Sequence, residues 1–307
     1  VTPRATGEAA EGLLVVDKPS GLTSHDVVQR VRRLARTRKV GHAGTLDPMA
    51  TGVLVLGLGR ATRLLGHLST NDKGYTATIR LGRTTVTDDA EGEVDGGSDA
   101  SGVSPADVLA GVALLTGEIL QRPSKVSAIK VDGQRAYKLV RAGDEVELAP
   151  RPVTVSRFDV LDVRTVPRDD GPGAFVDVDV VVECSTGTYV RALARDLGQA
   201  LGVGGHLTAL RRTRVGVFDE GAAVAVSDDL DVVAAMLTLD QALAMAFPSF
   251  VAPDELVPLV LHGRPVDPEV AGEAATQPVF AALGPDGRGL ALMEIRDALV
   301  KPVVVFE

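Results

Sequence analysis

Strand-like and helix-like segments alternate irregularly along these 307 residues, and this irregularity limits the possible folds more than any other feature. Residues 13–16 (LLVV) form a short apolar run, stopped by the turn-rich Asp17-Lys18-Pro19-Ser20-Gly21. Thr23 or Ser24 then suits a helix cap, because Val27, Val28, Val31, Leu34 and Ala35 recur at helical spacing. Residues 53–58 (VLVLGL) read as an inner strand, 61–68 as a short helix, and 74–82 alternate as a strand. The connections are too short and varied for repeated βαβ units. A mixed α+β sheet is therefore expected, not a doubly wound parallel one.

Further along, residues 84–104 are acidic and rich in Gly and Ser, which predicts an exposed, mobile connection. Pro105 should open a helix reaching Leu115, and Tyr189–Leu201 should form another. Two or three strands are expected between 145 and 184, with Val176, Val178 and Val180 on one face, and an extended basic segment with a strand at 206–218. Helices at about 227–246 end at Pro248. Short strands then flank a Gly-Pro-Asp-Gly turn at 284–287. A boundary near 249 divides the chain into 1–248 and 249–307.

The net charge of −9 argues at first against a nucleic-acid partner. Its distribution does not. Residues 1–80 carry twelve Lys/Arg against six Asp/Glu, 121–141 carry six against one, and 186–214 carry five against one. Three basic blocks between acidic stretches suit a surface that neutralises phosphates. No apolar run approaches the ~20 residues of a membrane helix, and the start VTPRATGEAAEG lacks the apolar core of a signal peptide. A single cysteine, Cys184, suits a reducing cytoplasm, where the chain is expected to act.

One Cys and five scattered His give no metal-ligand spacing, so chemistry without a metal is expected. Gly57-Leu58-Gly59 lacks the third glycine of a dinucleotide turn, since Thr62 stands there, and no phosphate-loop motif occurs. More informative is the loop Gly41-His42-Ala43-Gly44-Thr45-Leu46-Asp47-Pro48. Its glycines and proline let the backbone turn sharply, so Asp47 can either bond its own backbone or point into a cleft.

The stretch KVGHAGTLDPMATGVLVLGLGRATRLL (39–65) resembles the catalytic motif of the TruB family of tRNA pseudouridine synthases. Further matches follow in the family's order: GLLVVDKPSGLTSHDVV (12–28), KGYTATIRLG (73–82), PSKVSAIKVDGQRAYKLVRAG (123–143), CSTGTYVRALARDLG (184–198) and LTALRRTRVGVF (207–218). This resemblance implies a pseudouridine synthase fold: α+β, with a mixed, largely antiparallel sheet, flanking helices and a small β-rich PUA-like C-terminal module. It implies Asp47 as the catalytic carboxylate, with Tyr75 and Arg191 as active-site partners. His42, Leu210, Lys18, Tyr189 and Arg211 are expected to bind substrate, as are Lys125, Lys130 and Arg135 of an RNA-gripping insertion at about 121–143. The implied partner is tRNA, modified at uridine 55 of its T-loop, with no obligatory protein partner and no cofactor.

The chemistry of the residues agrees. Converting uridine to pseudouridine breaks a C–N glycosidic bond and rejoins the base through carbon, which is redox-neutral. It requires an ionised carboxylate near C1′ or C2′ of the ribose. Arg191 is expected to favour that ionised form of Asp47. Tyr75 can stack on the displaced base and Leu210 can pack against it. Arg30, Arg32, Arg33, Arg36, Lys39, Lys138 and Arg212 join the insertion's cations as candidates for phosphate contact. The acidic segment 250–307 is as open to a packing role as to RNA contact. A guide-RNA-dependent synthase of the dyskerin kind and a non-enzymatic tRNA-folding factor are the alternatives.

Overall fold

The computed structural model describes residues 10–124, 130–131, 134–135 and 148–306. The side chains of Lys125, Lys130, Arg135 and Lys138, the short helix expected near 137–140 and the RNA-dependent ordering of the insertion lie outside the described residues. In chain order the strands begin with β1 (Gly12–Lys18), β2 (Val40–His42), β3 (Thr51–Leu58), β4 (Lys73–Leu81), β5 (Thr84–Thr85) and β6 (Val94–Gly96). They continue with β7 (Gly117–Gln121), β8 (Lys130–Val131), β9 (Gln134–Arg135), β10 (Arg151–Pro167), β11 (Ala174–Cys184) and β12 (Gly205–Val215). The last seven are β13 (Phe218–Asp219), β14 (Val224–Ala225), β15 (Leu237–Thr238), β16 (Ser249–Val251), β17 (Phe280–Leu283), β18 (Gly289–Arg296) and β19 (Leu299–Val305). The helices are α1 (Ser24–Leu34), α2 (Leu65–Leu68), α3 (Pro105–Leu114) and α4 (Val190–Ala200). Four more follow: α5 (Val232–Ala235), α6 (Leu239–Ala246), α7 (Val257–Leu261) and α8 (Pro268–Ala271). None of these helices is long and apolar enough to cross a membrane.

The chain divides into two compact units. The first comprises Val1–Asp47, Gly52–Thr70 and Val215–Glu307. Here β1 lies between β14, to which it is parallel, and β3, to which it is antiparallel in the register Gly12↔Leu58 to Lys18↔Gly52. β2 pairs with β3 through Val40↔Leu58 and His42↔Leu56. β3 is buried along its whole length from Gly52, as its uninterrupted apolar sequence requires. Leu13, Val15, Val53 and Val55 share one core with Leu64, Leu68, Phe218, Leu243, Phe247, Leu292 and Phe306. Burying each such side chain contributes about 1.5–3 kcal/mol. Residues 249–306 add a four-stranded sheet, β16-β17-β18-β19, and a core of their own around Phe250, Val260, Phe280, Leu290 and Val300.

The second unit comprises Pro48–Thr51 and Asn71–Arg214. Its strands run β12-β4-β11-β10-β7, with β4, β11, β10 and β7 antiparallel in turn. Val176, Val178 and Val180 are buried on one face of β11, as their alternation predicts. Helix ends follow the sequence closely. Thr23 and Asp26 form a reciprocal capping box on α1, and Ser104 and Asp107 form one on α3, where Pro105 stands at the first helical position.

The segment 84–104 departs in part from the sequence expectation. Most of it is exposed, as expected, yet Thr85, Asp89 and Ala100 are buried, β5 pairs with β6, and the Asp99 carboxylate accepts the Ala174 N–H at 2.8 Å. Side-chain hydrogen bonds and an ion pair, more than apolar burial, pin this stretch, so hydropathy patterning cannot register it.

Candidate active site

Asp47, the candidate carboxylate, sits in a hairpin loop. β2 and β3 are joined by residues 43–50, closed at its base by the Ala43 N–H donating to the Val55 carbonyl at 2.9 Å. Gly44 adopts φ 89, a left-handed conformation that favours glycine. Ala43, Leu46 and Ala50 are buried anchors, and Asp47 is half-buried between the last two. Leu46 is gripped twice by Ser24. The Ser24 Oγ accepts the Leu46 N–H at 2.8 Å and donates to the Leu46 carbonyl at 3.2 Å. Ser24 is itself buried at the first position of α1. One hydroxyl therefore satisfies both backbone groups of the residue before Asp47 and fixes where the chain enters it. His42 ends β2, half-buried, five residues before Asp47. Lys18, at the end of β1, is fully buried, and its Nζ donates to the carbonyls of Pro19 (2.9 Å) and Leu22 (2.7 Å). Those bonds brace the turn between β1 and α1.

In the second unit, Tyr75 is buried on β4 in register with Val182 of β11. Lys73 is one pleat away on the same face, buried, with Nζ donating to the Asn71 carbonyl at 2.7 Å. Burial and then the charge of Arg212 push the Lys73 ammonium down to about 8. On β12, the strand beside β4, Leu210 and Arg212 are buried and Arg211 is half-buried. Arg211 Nη1 donates to Thr51 Oγ1 at 3.4 Å.

Arg191 is the second residue of α4, a position where the helix dipole disfavours a cation. The structure supplies the compensation. Arg191 is buried, its Nη1 donates to the Thr87 carbonyl at 2.8 Å, and it lies 3.3 Å from Oδ2 of the buried Asp89. Asp89 Oδ1 in turn accepts the Thr87 hydroxyl at 2.5 Å and the Glu91 N–H at 3.0 Å. The preceding Asp88, at φ 60, accepts the Ser124 hydroxyl at 2.6 Å and pairs with Arg195 at 3.2 Å. Burial pushes the Asp88 carboxyl up, against the pull of those partners.

Tyr189 caps α4 and is clamped in both directions by Gln121. Its N–H donates to Gln121 Oε1 at 2.8 Å and its carbonyl accepts from Nε2 at 3.1 Å. Arg195 Nη2 donates to the Arg122 carbonyl at 2.7 Å. The chain entering the basic insertion is thus tied to the helix that carries Arg191. Sequence reasoning passed over Ser24, Gln121, Asp88 and Asp89, whose bonds hold the candidate residues or their neighbours. Ser24 had a signal only as a helix cap, and the two aspartates were hidden in a stretch whose composition reads as a connection.

The fold is shared with chains of solved H/ACA RNP and Cbf5 structures. A chain in a structure of an H/ACA RNP bound to a substrate RNA containing 2′-deoxyuridine superposes with a TM-score of 0.71 at 25% identity, covering 97% of this chain and 86% of that one. A chain of a Cbf5-Nop10-Gar1 complex gives 0.70 at 27%, covering 97% and 85%. Residues 32–190 match the TruB family pseudouridylate synthase N-terminal domain, and 191–253 match the tRNA pseudouridylate synthase B C-terminal domain. The chain belongs to the TruB family of pseudouridylate synthases. A protein of Thermobifida fusca named tRNA pseudouridine synthase B is 56% identical, covering 97% of this chain and 99% of its own. One of the same name from Streptomyces griseus is 54% identical, covering 96% and 97%.

Proposed function

We propose that this chain isomerises uridine 55 in the T-loop of transfer RNA to pseudouridine, with Asp47 as the reacting carboxylate. The observation that carries this reading is Asp47 itself, half-buried directly after the doubly clamped Leu46, in a family of pseudouridylate synthases. In the reaction the N1–C1′ bond breaks, a C5–C1′ bond forms, and the C5 proton leaves to solvent while N1 gains one. Asp47 acts by attacking C1′ or by taking the C2′ proton. Either route needs it ionised, and Arg191 is assigned the favouring charge. Tyr75 stacks on the detached base and Leu210 packs against it. His42, Tyr189 and Arg211 contact the RNA around it, with Lys125, Lys130 and Arg135 gripping the stem. Leaving the stack costs the base a few kcal/mol, which phosphate contacts offset. Residues 249–307 are assigned to a PUA-like module.

The test is tritium release from C5-labelled uridine in an unmodified tRNA transcript, with no other RNA or protein added. Wild-type protein should release the label, a transcript with cytidine at position 55 should give none, and Asp47→Asn should bind the transcript without turnover. Turnover by Asp47→Asn would refute the assignment. The likeness to chains of H/ACA particles favours a second reading, guide-dependent action. That reading gains if wild type turns over only when a guide RNA is supplied.

A further inference from the structure

The basic face of α1 is not uniform. Arg30 is committed to Asp228, through Nε at 3.1 Å and Nη2 at 2.8 Å. Beyond it, at the C-terminal end of the helix, an open pocket of about 410 Å³ is lined by Gln29, Arg32, Arg33, Arg36, Thr37 and Arg38. Four guanidinium groups share it, and none of the lining residues is acidic. Arg33, Arg36 and Arg38 are exposed, and among the described residues no carboxylate pairs with any of them. Arg32 donates from Nη2 to the Val40 carbonyl at 2.9 Å, while its Nε is buried with no hydrogen-bond partner among the described residues.

A structural role explains only part of this. A helix C-terminus carries the equivalent of about half a negative charge, and one or two cations in the last turn answer it. Arg32 and Arg33 occupy that turn. Arg36 and Arg38 are in excess, and gathering four like charges is unfavourable unless an anion is held among them. Arg36 also stands just past the helix cap Ala35 at φ 49, where glycine is the ordinary residue and an arginine is strained.

We propose that this pocket seats backbone phosphates of the RNA substrate on the approach to the Asp47 loop. The inference rests on the RNA-substrate reading above and narrows it. Of the cations on α1 and just beyond it, Arg33, Arg36 and Arg38 make the phosphate contacts, Arg30 does not, and Arg32 ties the pocket to Val40. The pocket is coupled to the loop by the chain itself: Arg38 stands two residues before β2, Arg32 holds the Val40 carbonyl, and β2 leads into residues 43–50. Planar guanidinium groups meet phosphate oxygens two at a time, which suits arginine over lysine here.

The experiment measures the affinity of full-length protein for an unmodified tRNA transcript across a salt series, comparing wild type with Arg33→Gln/Arg36→Gln/Arg38→Gln. The triple variant should bind at least tenfold more weakly at low salt. Its log-log salt slope should be smaller by about 2.1–2.7, at roughly 0.7–0.9 for each of three phosphates no longer neutralised. Its melting temperature should be equal to wild type or higher, because repulsion is relieved. Unchanged affinity and slope would overturn the proposal. So would an equal loss on neutralising Arg264, Arg288 and Arg296, which would report total charge and not a site. A pocket for free anions would show as thermal stabilisation by inorganic phosphate, absent in the variant, with the RNA slope unaltered; that also overturns it. If wild type binds the transcript but does not convert it, the isomerase reading falls while the slope comparison still judges the pocket.

Discussion

Ser24 and Arg191 show how single side chains are used twice in this protein. The Ser24 hydroxyl belongs to the first turn of α1 and also closes both polar groups of Leu46. Ser24→Ala should leave that buried pair unsatisfied, at a cost of about 1–3 kcal/mol. It should also lower turnover on the order of tenfold to a hundredfold by loosening Asp47. Urea midpoints and tritium release on the same samples check this, and turnover equal to wild type would remove Ser24 from the positioning of Asp47. Arg191 meets the Thr87 carbonyl and Asp89 with one guanidinium. Lysine carries the charge without the planar fork, so Arg191→Lys should keep the fold but lose about tenfold or more in turnover. Full activity of the lysine variant would show that charge alone suffices.

At the scale of elements, the 84–104 segment is held to the β10–β11 hairpin by polar contacts that depend on ionisation. Hydrogen bonds from the Ser101 hydroxyl, then from the Ala174 and Ser101 N–H groups, hold the Asp99 carboxyl down at about 2, below its ordinary 3.8. A folded-state value below the unfolded one means the stabilisation is full above pH 3.8 and is lost as pH falls towards 2. Asp99→Asn should therefore melt below wild type at pH 5, and the gap should narrow between pH 4 and 2. A gap independent of pH would mean that ionisation of Asp99 contributes nothing. Gly173 belongs to the same contact: it has φ 102, and a Cβ there would fall 2.6 Å from Asp99 Oδ1. The regular elements around this contact were legible beforehand. β1, β3, α1, α3 and α4 lie within a few residues of where apolar periodicity and capping residues place them, because both signals are local to the chain. The pinned segment was not legible, because its partners Ala174 and Arg191 lie far along the chain.

Across the whole molecule, a net charge of −9 coexists with basic stretches that can neutralise phosphates. Binding of tRNA should accordingly weaken steeply with salt. Neutralising Lys125, Lys130 and Arg135 together should reduce the log-log slope by about 2 and leave the melting temperature unchanged. If slope and affinity stay at wild-type values in a folded variant, the insertion is not part of the binding surface.

The chain's own pattern determined that this is an irregular α+β protein, that α1 is basic, and that Asp47 sits in a loop unable to form regular structure. Backbone preferences, capping and turn chemistry act over at most a few residues, so they are written directly in the order of amino acids. Tertiary structure alone decided which charges are spent and which are left to act. Arg30 meets Asp228 across 198 positions, Arg191 meets Asp89, and Ser24 meets Leu46. Arg33, Arg36 and Arg38 line a pocket with no acid in its walls. An ion pair or a buried hydrogen bond depends on distance in space and on exclusion of water. Both are set only when segments remote in sequence pack together.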